Sequence, residues 1–280
     1  MKTQKKRMKP GRFIKKYLRL MIGAVILAVV LFCTIFAPYM TKYDPMQIDM
    51  SNTRQLPSAE HIFGTDKFGR DIFARLCVGG QSTLMVVFGS QLLAVALGTV
   101  LGLICGYYTS MEKILMRILD AMSNIPNLIL CLIMVTIFGS GTLNLICAMA
   151  VGNIPGIARM VRNQVLSLRE KEYIESEKAM GASDLRTIFV HILPGCVSYL
   201  LVRFTAGLAG ATLSMTSLSF LGLGLDPTIP SWGGMINEAQ TNFFGYPHTV
   251  LFPALAISVT IFGFTLMGDA VRDLLDPKLR

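Results

Sequence analysis

Three histidines, six cysteines and seventeen acids are the side chains in this 280-residue sequence most able to do chemistry. A zinc hydrolase would place two histidines four apart on one helix face so that both imidazoles meet one ion. His61, His191 and His248 stand far apart, and none begins an H-E-x-x-H. A phosphate cradle of the Walker kind ends in Gly-Lys, a pair that occurs nowhere in the chain. No G-x-S-x-G elbow is present, and no two acids share an apolar run as a protease dyad would. Cys33, Cys105, Cys131, Cys147 and Cys196 lie in or beside apolar runs and Cys77 stands in a polar loop, which fits neither a disulfide framework nor a zinc site. The expectation is small core residues, with no catalytic residue, no metal ligand and no cofactor belonging to this chain.

Two polar features remain. Arg203 is the lone ionisable residue well inside an apolar run. It stands nine residues past Pro194, or about 13 Å along a helix. Such a cation either snorkels or pairs within the chain, or it lines a path where carboxylates would meet it. The second feature is "EKEYIESEKAMGASDLRTIFVHILPG", Glu170 to Gly195, which is dense in charge between two apolar stretches.

The elements that position these residues follow from composition. With 52% apolar residues, 15% charged residues and a mean hydropathy of +0.55, the chain is too apolar for a soluble domain and reads as an all-α, polytopic membrane protein. No charged residue lies between Arg75 and Glu112 or between Asp120 and Arg159. The first gap holds one span of about 20 residues, Ser82 to Tyr107, and the second holds two short ones split near Gly139 to Thr142. Leu20 to Met40, Gly195 to Thr216 and Thr249 to Met267 bring the number of transmembrane helices to six. The first apolar run ends in "FCTIFAPYM" without an A-x-A site, so it reads as a retained helix rather than a signal peptide. Pro126 should kink the third span or mark its start.

Nine of the 26 basic residues fall in the first nineteen positions. A run like this could bind nucleic acid, but an apolar span follows it, and a cytoplasmic anchor is the better reading. With the N-terminus inside, twenty basic residues fall in cytoplasmic segments and five in outer loops, so the positive-inside rule places both termini in the cytoplasm of a plasma-membrane protein. Residues 1–19 then form a basic cytoplasmic N-terminus, 20–40 the first span, 41–79 an extracytoplasmic segment, 80–269 a five-helix domain and 270–280 a cytoplasmic tail. Gly98, Gly102 and Gly106, then Gly152 and Gly156, then Ala206, Gly210 and Ser214 recur at four-residue steps that let helix backbones approach closely.

The charged stretch is cytoplasmic on this topology. Val165 to Ala179 are good helix formers with Lys171–Glu175 and Glu175–Lys178 positioned to pair. Gly181 stops that helix, and Ser183 or Asp184 can cap a second one ending at Pro194. Helices this short are marginal in water, so the bent pair needs something to pack against. Elsewhere "GTDKFGRD" forms a polar turn before an amphipathic segment (Ile72, Phe73, Leu76) expected to lie flat on the outer surface. Pro227 and Pro230 break "LGLGLDPTIPSWGG", and Trp232 suits the membrane interface.

Residues 163–194 contain a stretch that resembles the EAA loop of the membrane subunits of ABC importers, written EAA, three residues, Gly, nine residues, I-x-L-P. Glu175 takes the place of the Glu, Gly181 follows six residues later, and Leu193 with Pro194 closes it. Ser176 and Glu177 replace the two alanines, and His191 stands where Ile is written. "HIFGTDKFGRDIFARLCVGGQSTL" (His61 to Leu84), "LSFLGLGLDPTIPSWGGMINEA" (Leu218 to Ala239) and "GDAVRDLLDPKLR" (Gly268 to Arg280) resemble the C-type membrane subunit of dipeptide, oligopeptide and nickel importers. The resemblance implies the type I importer transmembrane fold and half of a pore worked by alternating access. It implies a homologous second membrane subunit, two ATPase subunits that hold the ATP and Mg, and an extracytoplasmic binding protein. Membrane lipid surrounds the spans, and no nucleic acid is involved. It assigns ATPase coupling to Glu175, Ser176, Glu177, Ala179, Gly181, Ala182, Asp184, Leu193 and Pro194. The cargo expected is a peptide, with nickel or another small ligand second, and Arg203 is the candidate on its path. A secondary transporter or channel is the alternative, but carriers place ionisable groups in mid-membrane, and here Arg203 alone qualifies.

Overall fold

The computed structural model describes residues 10–275, with side chains from Tyr17 onward. The basic residues of 1–9 and the tail 276–280, with Lys278 and Arg280, lie outside the described residues. Regular structure among the described residues is helical, apart from one isolated bridge between Thr65 and Asp71. Its main elements are α1 (Pro10–Ile35), α2 (Ile72–Tyr107), α3 (Thr109–Ser123), α4 (Asn127–Phe138), α5 (Thr142–Arg169), α6 (Glu172–Ala179), α7 (Asp184–Phe220), α8 (Trp232–Ala239) and α9 (His248–Leu275). Five of these are long and apolar enough to cross a membrane, and the pair α3 and α4, bent by 93°, is apolar enough together to form a broken sixth span or a re-entrant loop.

Several boundaries differ from expectation for identifiable reasons. Pro126 caps α4, and because the residue before a proline avoids helical geometry, the chain turns there instead of bending within one helix. The third span is consequently a twelve-residue rod of about 18 Å, short of the roughly 30 Å apolar core. The split expected near Gly139 to Thr142 falls between α4 and its partner α5, but α5 takes 28 residues and runs on to Arg169, so only the first of the two helices is short. Helix α2 begins ten residues before its predicted start, because the Asp71 carboxylate accepts the Ala74 N–H at 2.7 Å and caps it. Ile72, Phe73 and Leu76 therefore form the first turns of a spanning helix rather than a surface segment, and Ile72 is fully buried. Cys77 is likewise buried in α2, not placed in a polar loop. Trp232 is buried as well, its indole N–H donating to the Leu76 carbonyl at 2.8 Å instead of facing the lipid boundary.

The second arm of the charged stretch does not end at Pro194. Residues Thr187–Ile192 open into a π-turn, in which the Leu193 N–H bonds five residues back to the Ile188 carbonyl. Pro194 lacks an N–H and its ring would meet the carbonyl four residues earlier in a regular helix. The wider turn relieves that clash, and α7 runs unbroken for 37 residues.

The glycine steps on α2 work as predicted. A Cβ on Gly98, Gly102 or Gly106 would sit 2.7, 2.6 or 2.5 Å from the Cβ of Ile157, Val161 or Val165. Each four-residue advance on α2 meets a four-residue advance on α5, so the two helices run parallel with backbones nearly touching. This seam carries one core cluster, with Ile154, Ile157, Val161 and Val165 at its centre. A second cluster, around Met149, Met215, Leu218 and Trp232, fills the other end of the bundle. Helix α9 packs antiparallel on α1, where Gly23 and Gly263 face each other's helices, and against α7, where Gly268 meets Ala206.

Candidate functional site

The charged stretch folds into an elbow at one end of the bundle. Helix α6 is anchored by Ile174, its one buried residue. Gly181 then turns the chain at φ +86°, a conformation that costs a side-chain-bearing residue steric strain. Ser183 caps α7, its Oγ accepting the Arg186 N–H at 3.4 Å. The tip is exposed and apolar, with Met180 80% and Leu185 67% accessible.

Six polar contacts fasten this elbow. Asp184 accepts the Tyr107 hydroxyl at 2.7 Å and the Tyr108 hydroxyl at 3.2 Å. The Lys178 ammonium lies 4.6 Å from the Tyr107 ring centre, and Arg169 donates to the Tyr107 carbonyl at 2.9 Å. Glu177 ties the two arms together, one oxygen 3.3 Å from the Arg186 Nε and the other 2.6 Å from the His191 Nε2. The Lys171–Glu175 and Glu175–Lys178 pairs do not form. Lys171 lies over the Tyr173 ring and Lys178 over Tyr107, each ammonium facing an aromatic in place of a carboxylate. Glu175, Ser176, Ala179, Gly181 and Asp184 are exposed, while Glu177 and Ala182 are half-buried. Leu193 and Pro194 lie apart from that surface, a turn or more into α7.

The opposite end holds a buried ionic clasp. The Arg70 Nε donates to Asp66 at 2.7 Å, and its NH2 reaches Glu238. Arg75 donates to Asp66 and, at 2.9 and 3.1 Å, to both oxygens of Glu238. Two guanidinium groups thus face two carboxylates, and the start of α2 is bound to α8, 163 residues away. His61 Nδ1 lies 2.9 Å from Asp71, the same carboxylate that caps α2. Sequence reasoning missed both the clasp and the tyrosine latch. The available signal was a balance of opposite charges, two arginines, a lysine and two aspartates in "GTDKFGRDIFAR" against one glutamate in "WGGMINEA".

Arg203 is separate from both ends. It is half-buried on α7, its NH2 3.3 Å from where a Cβ on Gly156 would sit, and no carboxylate of the described residues comes within 4.0 Å of it. Gly156 and Gly210, expected to pack, are exposed instead, and Gly210 has no atom near its Cβ position.

Residues 98–280 match the family described as binding-protein-dependent transport system inner membrane component, and residues 12–57 match the N-terminal transmembrane domain of oligopeptide transport permease C. The chain belongs to this binding-protein-dependent family and is a multi-span permease subunit of an ABC importer, of the C type, in the plasma membrane. Among particular relatives, it is 40% identical to the glutathione transport system permease protein GsiD of Pectobacterium atrosepticum, over 96% of this chain and 90% of that one. It is also 40% identical to the dipeptide transport system permease protein DppC of Alkalihalophilus pseudofirmus, over 95% and 88% of the two chains. An inward-facing structure of the MetNI methionine ABC transporter superposes with a TM-score of 0.60 at 20% identity, covering 72% of this chain and 96% of that one, which shows the shared fold.

Proposed function

We propose that this subunit forms half of the path for a short peptide, and that partner ATPases drive it through the elbow at Glu175 to Asp184. The relatives named for glutathione and dipeptide transport support a peptide cargo over nickel or another small ligand. One observation carries the coupling: the arm after Gly181 is continuous with a spanning helix, 37 residues without a break. A push on the exposed apolar tip at Met180 and Leu185 is therefore delivered to α7 as motion of a rod. The elbow's second anchor, Asp184 on Tyr107 and Tyr108, passes the same push to α2. The complete importer adds a homologous second permease, two ATPase subunits holding ATP and Mg, and an extracytoplasmic binding protein. Both termini and the elbow face the cytoplasm, the side with the excess of basic residues. ATP binding closes the ATPases, the elbows move, and the helices change from inward-open to outward-open.

The test uses the full complex in proteoliposomes. Gly181→Val places a β-branched residue at φ +86° and should abolish the stimulation of ATP hydrolysis by liganded binding protein. Normal stimulation in that variant would refute the coupling role, and solute movement by the two permeases without ATPases would refute the importer mechanism.

A further inference from the structure

Two arginines of α5 have partners, and the Arg203 guanidinium beside that helix has none among the described residues. Arg159 donates to Asp120 at 2.7 Å and to the Ser123 hydroxyl at 3.1 Å. Arg162 donates to Glu112 at 2.8 Å through its Nε. One turn from Arg159 the same face reaches Gly156, and there the Arg203 guanidinium projects from α7 with no hydrogen bond or ion pair to the described residues. Polar side chains also occur on these two helices and their neighbours. The Asn127 side chain lies over Gly152, Asn153 stands on the same helix face, and Gln91 donates to the Arg203 carbonyl at 3.3 Å. No Asp or Glu occurs between Asp120 and Glu170 or between Asp184 and Asp226, so none of the flanking spanning segments supplies a counter-ion.

An unpaired guanidinium among apolar helices is costly unless water or an anion reaches it. The exposed Gly156 and Gly210 leave that approach open, since neither carries a side chain that could cover it. From these observations we infer that Arg203 is a binding residue for a carboxylate of the cargo as it passes along this face. The planar fork of donors matches a carboxylate in two parallel hydrogen bonds, and an anion moving through a low-dielectric passage needs such a group to offset its loss of hydration. The peptide's own terminal carboxylate fits. This inference rests on the peptide-import reading above, but it adds a chemical requirement that the reading lacks.

The experiment uses the full reconstituted importer with saturating binding protein and two probes, dialanine and its C-terminal amide. In the unaltered complex dialanine enters and binding protein stimulates ATP hydrolysis; failure of either would sink the peptide-import reading and this inference with it, whereas the outcomes below bear on Arg203 alone. Arg203→Gln is expected to lower dialanine uptake by roughly tenfold or more, the scale of a lost charged hydrogen bond. Stimulated hydrolysis and uptake of the amide should be unchanged, and Arg203→Lys should recover part of the loss. Dialanine uptake at the parental rate in the Gln variant would overturn the assignment. So would an equal loss of both probes, or failure of the two permeases to co-purify, since either result would make Arg203 a structural or inter-subunit contact.

Discussion

The two ends of the bundle secure their charged residues by opposite means. In the clasp, Arg70 and Arg75 are 5% and 3% accessible, and each guanidinium meets both Asp66 and Glu238. In the elbow, Arg186 is 66% accessible and holds one carboxylate at 3.3 Å. A buried pair costs several kcal/mol per ion in lost hydration and survives only when every charge is answered, so the clasp behaves as a single cross-link. The elbow keeps most of its charges in water, Glu177 being the half-buried exception, and meets Tyr107 and Tyr108 through side chains whose release strands no buried charge. One end cross-links α2 to α8 through buried charge, and the other holds its elbow by contacts that water can replace.

The comparison can be broken most forcefully at Glu238. Glu238→Ala leaves two buried guanidinium groups short of a carboxylate and should cost about 3–5 kcal/mol. The purified complex should then melt roughly 10 °C lower, at about 2–4 °C per kcal/mol. A shift of under 2 °C would mean that the clasp is no firmer than the elbow. A smaller effect is expected from replacing Tyr107 and Tyr108 by Phe together, which removes both hydroxyl donors to Asp184. Each lost bond is worth about 1 kcal/mol or less, and the effect should appear as faster amide exchange confined to 170–186 with little change in melting. Exchange rising across α2 as well would show that the latch stabilises the span and not only the elbow. The smallest effect belongs to Arg186→Ala. Its exposed pair with Glu177 should change stability by less than about 1 kcal/mol, and 0.5 M salt should mask even that in a thermal melt.

Much of the architecture was readable because its determinants are local. The α2 seam follows from glycines four residues apart, a spacing that fixes a helix face whatever the partner. Gly181 and Ser183 stop and restart the chain within three positions, so the elbow was legible to its cap. The same reasoning misassigned Gly156 and Gly210, because spacing alone does not reveal what neighbour arrives: Gly156 meets the Arg203 side chain and no helix backbone, and Gly210 meets nothing among the described residues. Pro194 was expected to end a helix, and whether it does depends on the preceding turn widening to five-residue bonds. The clasp was beyond reach of spacing altogether. Its members are separated by most of the chain, and their partnership exists only once α2 and α8 have met.

The matched four-residue steps of α2 and α5 act like the teeth of a rack. Sliding one helix along the other by less than a full turn, about 5.4 Å, would drive a valine or isoleucine onto backbone where a glycine now makes room. The two helices therefore hold together as one plate, and any rearrangement of the bundle has to be borne at other helix contacts.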